Sequence, residues 1–469
     1  MKWNANWIKP VEDTGDAAPV FGKNFTLSGE LREAILTVTA LGVYEAQLNG
    51  NRVGEFILAP GWTSYYSRLQ YQEYDVTGLL EKDNTLTVTV GKGWYRSRMP
   101  GWQGSRWQDG LRDKPAGLLA QLTLTYLDGR QEIISTDESW KVSGSRVRFS
   151  EIYDGEIYDA TYIPVLNQDV LCFEGPSDTL IPQEGEEIRE QERIAGACMF
   201  TTPKGETVID FGQNITGYVE ATLEGRSGEV LDLSFAEVMD KEGNFYTDNY
   251  RSAKAQYHYT CRDGLQTYKP KLTFWGFRYI RVNQFPGGVE KVTPAHFTAI
   301  ALHSDMKRTG FLSSSSPELN RLFDNIIWGQ KGNFVDVPTD CPQRDERLGW
   351  TGDAQVFVRT ACLNYDAEKF FTKWLADMAA DQHEDGYVGH VIPDMLQNPH
   401  ASAAWGDAAT ICPWEVYKAY GNKAILENQF ECMHKWVDHI TATTTTPNLW
   451  TGGTHYGDWL RLDAPSGSY

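Results

Sequence analysis

Ser313-Ser-Ser-Ser-Pro-Glu-Leu-Asn320 divides the chain into a β-patterned part and a helical part. Ser316 reads as a helix N-cap and Pro317 as the first helical residue, where the missing N–H of proline costs nothing. Leu319, Leu322, Phe323, Ile326 and Ile327 then recur at helical spacing. Helix formers with apolar stripes continue over Ala354 to Asn364, Glu368 to Asp381, Ala408 to Tyr420 and Ala424 to Thr441, and Thr443-Thr-Thr-Thr-Pro447 is a polar connector. On the other side, from about residue 20 to residue 300, short alternating runs are separated by Gly, Asn and Asp. Ile35 to Ala40, Thr85 to Val90 and Leu119 to Tyr126 read as strands, and Asn49-Gly50 marks a tight hairpin because both positions accept positive φ. A second β unit starts near residue 196, includes Thr207 to Gly212 and Gly217 to Leu223, and is expected to close near Tyr279 to Val282. The expected architecture is two N-terminal β-sandwich domains, residues 1–195 and 196–312, followed by an all-α domain, residues 313–469. No internal repeat of fixed period is evident.

A chain of 469 residues is too long for one ordinary core, which agrees with this division. Hydrophobic residues at 41% and charged residues at 23% suit a globular protein, and no apolar run approaches the roughly 20 residues of a membrane helix. The N-terminus lacks the apolar run of about 7 to 15 residues of a secretory signal, so a cytoplasmic location is expected. Seven cysteines, at 172, 198, 261, 341, 362, 412 and 432, form no C-x-x-C pair and read as reduced, mostly buried thiols. The net charge of −20 opposes nucleic acid and anionic membrane surfaces. Together with 16 Trp, 23 Tyr and 20 Phe, the acidity suits a neutral carbohydrate: aromatic faces meet the C–H surface of a sugar while carboxylates accept from its hydroxyls. Core packing of a β-sandwich would explain the aromatic content equally well.

Between the first two helices lies Asp336-Val-Pro-Thr-Asp-Cys-Pro-Gln-Arg-Asp-Glu-Arg-Leu-Gly-Trp-Thr-Gly-Asp353. Pro338 and Pro342 forbid a continuous helix, so this is a loop. It carries acidic residues at 336, 340, 345, 346 and 353 and two arginines, either as solvated ion pairs or as a site. Trp350, set between Gly349 and Gly352, favours a site, since a solvated loop has little use for a large aromatic ring. Clustered carboxylates raise one another's pKa until one stays protonated, and such a group can act as a general acid.

Asp340-Cys-Pro-Gln-Arg-Asp-Glu-Arg-Leu-Gly-Trp-Thr-Gly-Asp353 resembles the signature loop of the bacterial inverting α-L-rhamnosidases. Further stretches resemble the same family in the same order: Ala40 to Gly50, Leu58 to Tyr65, Gly91 to Arg96, Asp210 to Gly217, Arg251-Ser-Ala-Lys-Ala255, Phe274 to Tyr279, Ala404 to Ala409 and Tyr456 to Leu460. The resemblance covers essentially the whole chain. It implies an (α/α)6 barrel behind β-sandwich domains, and hydrolysis of terminal non-reducing α-L-rhamnose residues with inversion. Glu346 resembles the general acid; Asp340, Arg344 and Asp353 resemble residues that bind the rhamnose hydroxyls and support it. Trp350, Trp405 and Trp459 look like aromatic walls that meet the sugar and its methyl group. Asp407 reads as structural, and His400 and His455 as scaffold groups.

An inverting pair also needs a second carboxylate about 6.5 to 9.5 Å from the acid. Glu384, Asp385, Asp394 and Asp458 remain, and none matches the family's base. Twelve helices of about 12 residues with connections of about 5 need about 200 residues, more than residues 313–469 supply, so the barrel is expected to be incomplete. Two other readings stay open: a carbohydrate-binding or inactive fragment of such an enzyme, and an (α/α)6 glycosidase for another deoxy sugar such as fucose. With no nucleotide-binding glycine loop, H-E-x-x-H or EF-hand pattern, neither metal nor cofactor is expected, and the expected partner is a rhamnosylated glycoside or polysaccharide.

Overall fold

The structure, a computed structural model, describes residues 3–102, 114–457, 459 and 463. The alternating runs of the N-terminal part form a mostly antiparallel strand network. Ile35 to Ala40 sits inside strand Leu31–Leu41, which pairs with Gly117–Tyr126 so that Leu36 faces Leu122 and Val38 faces Ala120. Leu36, Val38, Leu118 and Leu122 are all buried. The hairpin forms at Asn49-Gly50: strands Val43–Leu48 and Asn51–Arg52 pair around it, with φ of 55° and 80° at the two turn residues.

The second β unit differs from expectation in two respects. Thr207 to Gly212 and Gly217 to Leu223 belong to one strand of 19 residues, Thr207–Gly225, whose register against Trp275–Gln284 shifts between Asp210 and Ile215. Local alternation breaks at such a bulge and so resembles a strand end. The unit also closes later, on Phe297–Ser304, which pairs with Thr207–Gly225 on one side and Ile188–Ala195 on the other. This closing strand is buried on both faces over most of its length, so its sequence is a continuous apolar run without alternation. The two β units also interleave. Gly155–Asp159 leaves the first unit to pair in parallel with Gln256–Thr260, and Gln168–Phe173 then returns to pair with Trp7–Pro10. The second sheet therefore draws strands from both sides of residue 195.

Helix Pro317–Asn333 starts where its cap predicts, with Ser316 Oγ accepting the Leu319 N–H at 3.2 Å and Pro317 in the first turn. Of the five stripe residues only Ile327 is buried; Phe323 and Ile326 are half-buried, and Leu319 and Leu322 are exposed. The helix packs one edge on Thr207–Gly225 and Phe297–Ser304, and Thr216 Oγ1 donates to the Gly332 carbonyl at 2.7 Å. Helices Thr351–Asn364, Glu368–Asp381, Ala408–Tyr420 and Lys423–Thr443 follow, the third of these packing against the other three. Phe334, Phe370, Phe371 and Trp374 form their aromatic core, with Phe334 stacked on Phe370 at 4.6 Å. No described helix is long and apolar enough to cross a membrane. All seven cysteines are free thiols; five are buried, Cys172 is half-buried and Cys198 is exposed.

Candidate active site

The acidic loop is held in shape by its own backbone and by the second β unit. Asp340 N–H donates to the Leu348 carbonyl at 3.1 Å, and Leu348 N–H donates to Asp340 Oδ1 at 3.2 Å. Arg347, 1% exposed, spends its guanidinium on backbone carbonyls: Gln343 and Arg344 within the loop, Ile152 and Phe274 outside it. Tyr153 donates its hydroxyl to the Glu346 carbonyl. The Arg347 and Tyr153 bonds satisfy backbone oxygens of the loop and of the β unit beneath it that burial would otherwise leave unpaired.

Within this frame Arg344 donates Nε to Glu346 Oε2 at 2.9 Å and Nη2 to Asp340 Oδ2 at 3.0 Å. A second guanidinium arrives from the β region: Arg251 Nη2 reaches the same Glu346 Oε2 at 2.9 Å, and its Nε reaches Asp345 Oδ1 at 2.6 Å. Two donors therefore converge on Oε2, and Oε1 has no hydrogen-bond partner among the described residues. Burial and the neighbouring charge of Glu346 push the Asp340 carboxyl up to about 6, against the Cys341 thiol, Arg344 and the Leu348 N–H. At Asp345 burial acts upward, but Ser252 and Arg251 outweigh it and hold this carboxyl below its ordinary range. The ligating atoms of Asp340, Cys341 and Glu346 lie within 4.8 Å of one another, and the cation bridging the two carboxylates here is Arg344.

Asp353 is exposed in the first turn of helix Thr351–Asn364, and with Asp340 it lines a cavity of about 320 Å³ walled also by Ile326, Phe334, Val356 and Phe357. Trp350, half-buried, stands immediately before that helix. Trp405, also half-buried, lies on Gly352 so closely that a Cβ there would come within 2.9 Å of the indole, which explains the glycine. The indole N–H groups of Trp350 and Trp405 are buried without an acceptor among the described residues. Trp459 is exposed and stands one ring further out, edge-on to Tyr456, which is edge-on to Trp405.

The remaining acidic residues do other work. Asp336, 1% exposed, accepts from the Trp62 N–H and from Lys373 Nζ. Asp407 accepts from Ala404 N–H and Trp436 Nε1, a structural role. His455 Nδ1 accepts from Ala403 N–H, and His400 contacts Tyr456. Asp394 is buried against His383, Asp385 lies by His439, and Glu384 is exposed; Asp458 lies outside the described residues. Sequence reasoning missed Arg251, although Arg251-Ser-Ala-Lys-Ala255 was among the stretches that carried the resemblance, and it missed Tyr153 and the Lys373 anchor.

Three family models match in succession: the alpha-L-rhamnosidase N-terminal domain over residues 29–189, the bacterial alpha-L-rhamnosidase concanavalin-like domain over 200–303, and the bacterial alpha-L-rhamnosidase 6 hairpin glycosidase domain over 307–468. An alpha-L-rhamnosidase of Formosa agariphila is 35% identical over 98% of this chain and 51% of its own length. The crystal structure of native α-L-rhamnosidase from Aspergillus terreus superposes with a TM-score of 0.92 at 36% identity, covering 98% of this chain and 55% of that one. The Streptomyces avermitilis α-L-rhamnosidase complexed with L-rhamnose gives 0.87 at 36% identity, covering 95% and 44%. The chain thus spans about half the length of the relatives it matches. From its first β unit to its helices, and through the loop that carries Asp340, Arg344 and Glu346, the chain belongs to the bacterial α-L-rhamnosidase family.

Proposed function

We propose that the protein hydrolyses terminal non-reducing α-L-rhamnose residues from α-L-rhamnosides with inversion, and that Glu346 is the general acid. The observation that carries this reading is that both guanidinium contacts fall on Glu346 Oε2, which orients the carboxyl and leaves Oε1 without a partner among the described residues to meet the glycosidic oxygen. Asp340 and Arg344 bind rhamnose hydroxyls, Asp353 closes the same cavity, and Trp350 and Trp405 face the ring and its methyl group, with Trp459 at the outer edge. The five described helices of the C-terminal region are read as part of an (α/α)6 barrel, a reading supported by the mutual packing of the last four. Asp340 is not the water-activating base. Its oxygen lies within 4.8 Å of Glu346 and both are held by one arginine, whereas an inverting pair stands about 6.5 to 9.5 Å apart across the sugar.

The test is release of rhamnose from a flavonoid rhamnoside and from a nitrophenyl α-L-rhamnoside by the wild type and by Glu346→Gln. The variant is expected to lose about 10² to 10⁴ of the rate on the flavonoid glycoside and less on the nitrophenyl glycoside, whose leaving group needs little protonation. Near-normal flavonoid hydrolysis by the variant would remove Glu346 from the role. Preference for aryl fucosides would support the other deoxy-sugar reading, and rhamnose binding without turnover would support a binding module.

A further inference from the structure

Glu346 stands between two different surfaces. Arg344 links Glu346 Oε2 to Asp340, and so to the cavity shared with Asp353. Arg251 leads elsewhere: while bonded to Glu346 and Asp345, its guanidinium lies over the ring of Trp102, 5.4 Å from the centroid. Trp102 belongs to the first β unit and is brought here by Gly101, whose N–H donates to the Asp345 carbonyl at 2.9 Å. A side chain at Gly101 would collide with Asp345, its Cβ falling 2.2 Å from the Asp345 Cβ. Arg251 is fixed in turn. Its φ is 57°, Ser252 Oγ donates to Asp345, and Arg98, paired with Asp154 at 2.7 Å, donates Nη2 to the Ser252 carbonyl at 2.7 Å. Three separate segments thus converge to hold one indole, 37% exposed, a single guanidinium away from the acid.

A general acid protonates the oxygen between the departing group and the sugar, so the two must lie on different sides of it. With the sugar on the Asp340 side, the departing group falls on the Arg251 side. We propose that Trp102, backed by Arg251, is the platform for the leaving group and takes a flat apolar ring face, as presented by a phenolic aglycone or by a second sugar. This rests on the rhamnosidase reading above.

The test is calorimetric binding of three ligands that resist hydrolysis: free L-rhamnose, an S-linked phenyl thio-α-L-rhamnoside, and an S-linked rhamnosyl glucoside. Wild type, Trp102→Ala and Trp102→Phe are compared, with melting curves to confirm folding. Trp102→Ala is expected to weaken binding of at least one ring-bearing ligand about three- to tenfold, leaving free rhamnose within a factor of two, while Trp102→Phe keeps most of the affinity. Loss on one ring ligand alone supports the platform and identifies which leaving group it serves. Equal weakening of all three ligands, or no weakening, would overturn the assignment alone. Failure of the wild type to bind rhamnose or either rhamnoside would overturn the rhamnosidase reading and this inference with it.

Discussion

Glu156 lies buried in the second β unit, accepting from the Tyr268 hydroxyl and, at 3.3 Å, from the Lys271 N–H. Burial pushes its carboxyl up to about 7, and these hydrogen bonds and the Lys271 charge only partly oppose it. Its folded pKa therefore exceeds the unfolded value of about 4.3, so the stability it contributes is full below that value and is lost as pH rises through 7. Glu156→Gln keeps the neutral shape without the titration. The melting temperature of the variant minus that of the wild type is expected to climb between about pH 4.5 and 7 and to level off above. A difference that stays flat across that range would show an ordinary carboxylate. At this scale the residue pattern exposed the acidic loop, but only the resemblance to a family assigned roles within it. Asp336, Asp340, Asp345 and Glu346 look alike along the chain, and what separates them is Lys373, Arg344 and Arg251, the first and last of these 37 and 94 residues from the aspartates they hold.

The helix Glu368–Asp381 shows how an element can secure a site without entering it. Lys373, 1% exposed, donates to the Trp62 carbonyl and to both the carbonyl and Oδ2 of Asp336, and lies 3.7 Å from Asp377, which Arg68 holds at 2.9 Å. Helix, acidic loop and first β unit are thereby joined in one buried ionic cluster. Lys373→Ala would leave Asp336 buried without its cation, while Asp377 keeps Arg68, and urea titration is expected to show a loss of about 3 to 5 kcal/mol. A loss under about 1 kcal/mol would mean water replaces the ammonium. Elements were legible where local chemistry decides them: the Ser316 cap, the Asn49-Gly50 turn, and the Glu368–Asp381 and Ala408–Tyr420 spans all formed as read. Which edge of helix Pro317–Asn333 would be buried was not legible, because periodicity gives the stripe but not the surface it meets.

Interleaving makes the two β units one mechanical body. Val147–Glu151 and Gly155–Asp159 lie in the second sheet, and so does Ile188–Ala195, although all three precede residue 196. Residues 1–195 produced alone are therefore expected to lack a cooperative melt, with Gly155–Asp159 and Ile188–Ala195 deprived of their partners in the second sheet, while residues 1–312 melt cooperatively by circular dichroism. A sharp transition in the shorter fragment would show that the exchanged strands are dispensable. The succession of two β units and a helical region was readable from hydrophobic periods, but pairing between distant strands leaves no local trace. The same ordering governs how the protein comes into being. A ribosome delivers the chain from its N-terminus, and every strand of the second sheet precedes residue 305. Arg251, Tyr153 and the carbonyls of Ile152 and Phe274 are synthesised, with all the strands that hold them, before residue 346 is added. Glu346 is thus added to the chain only after the β-unit groups that hold its loop have been made, so the loop meets a surface already assembled.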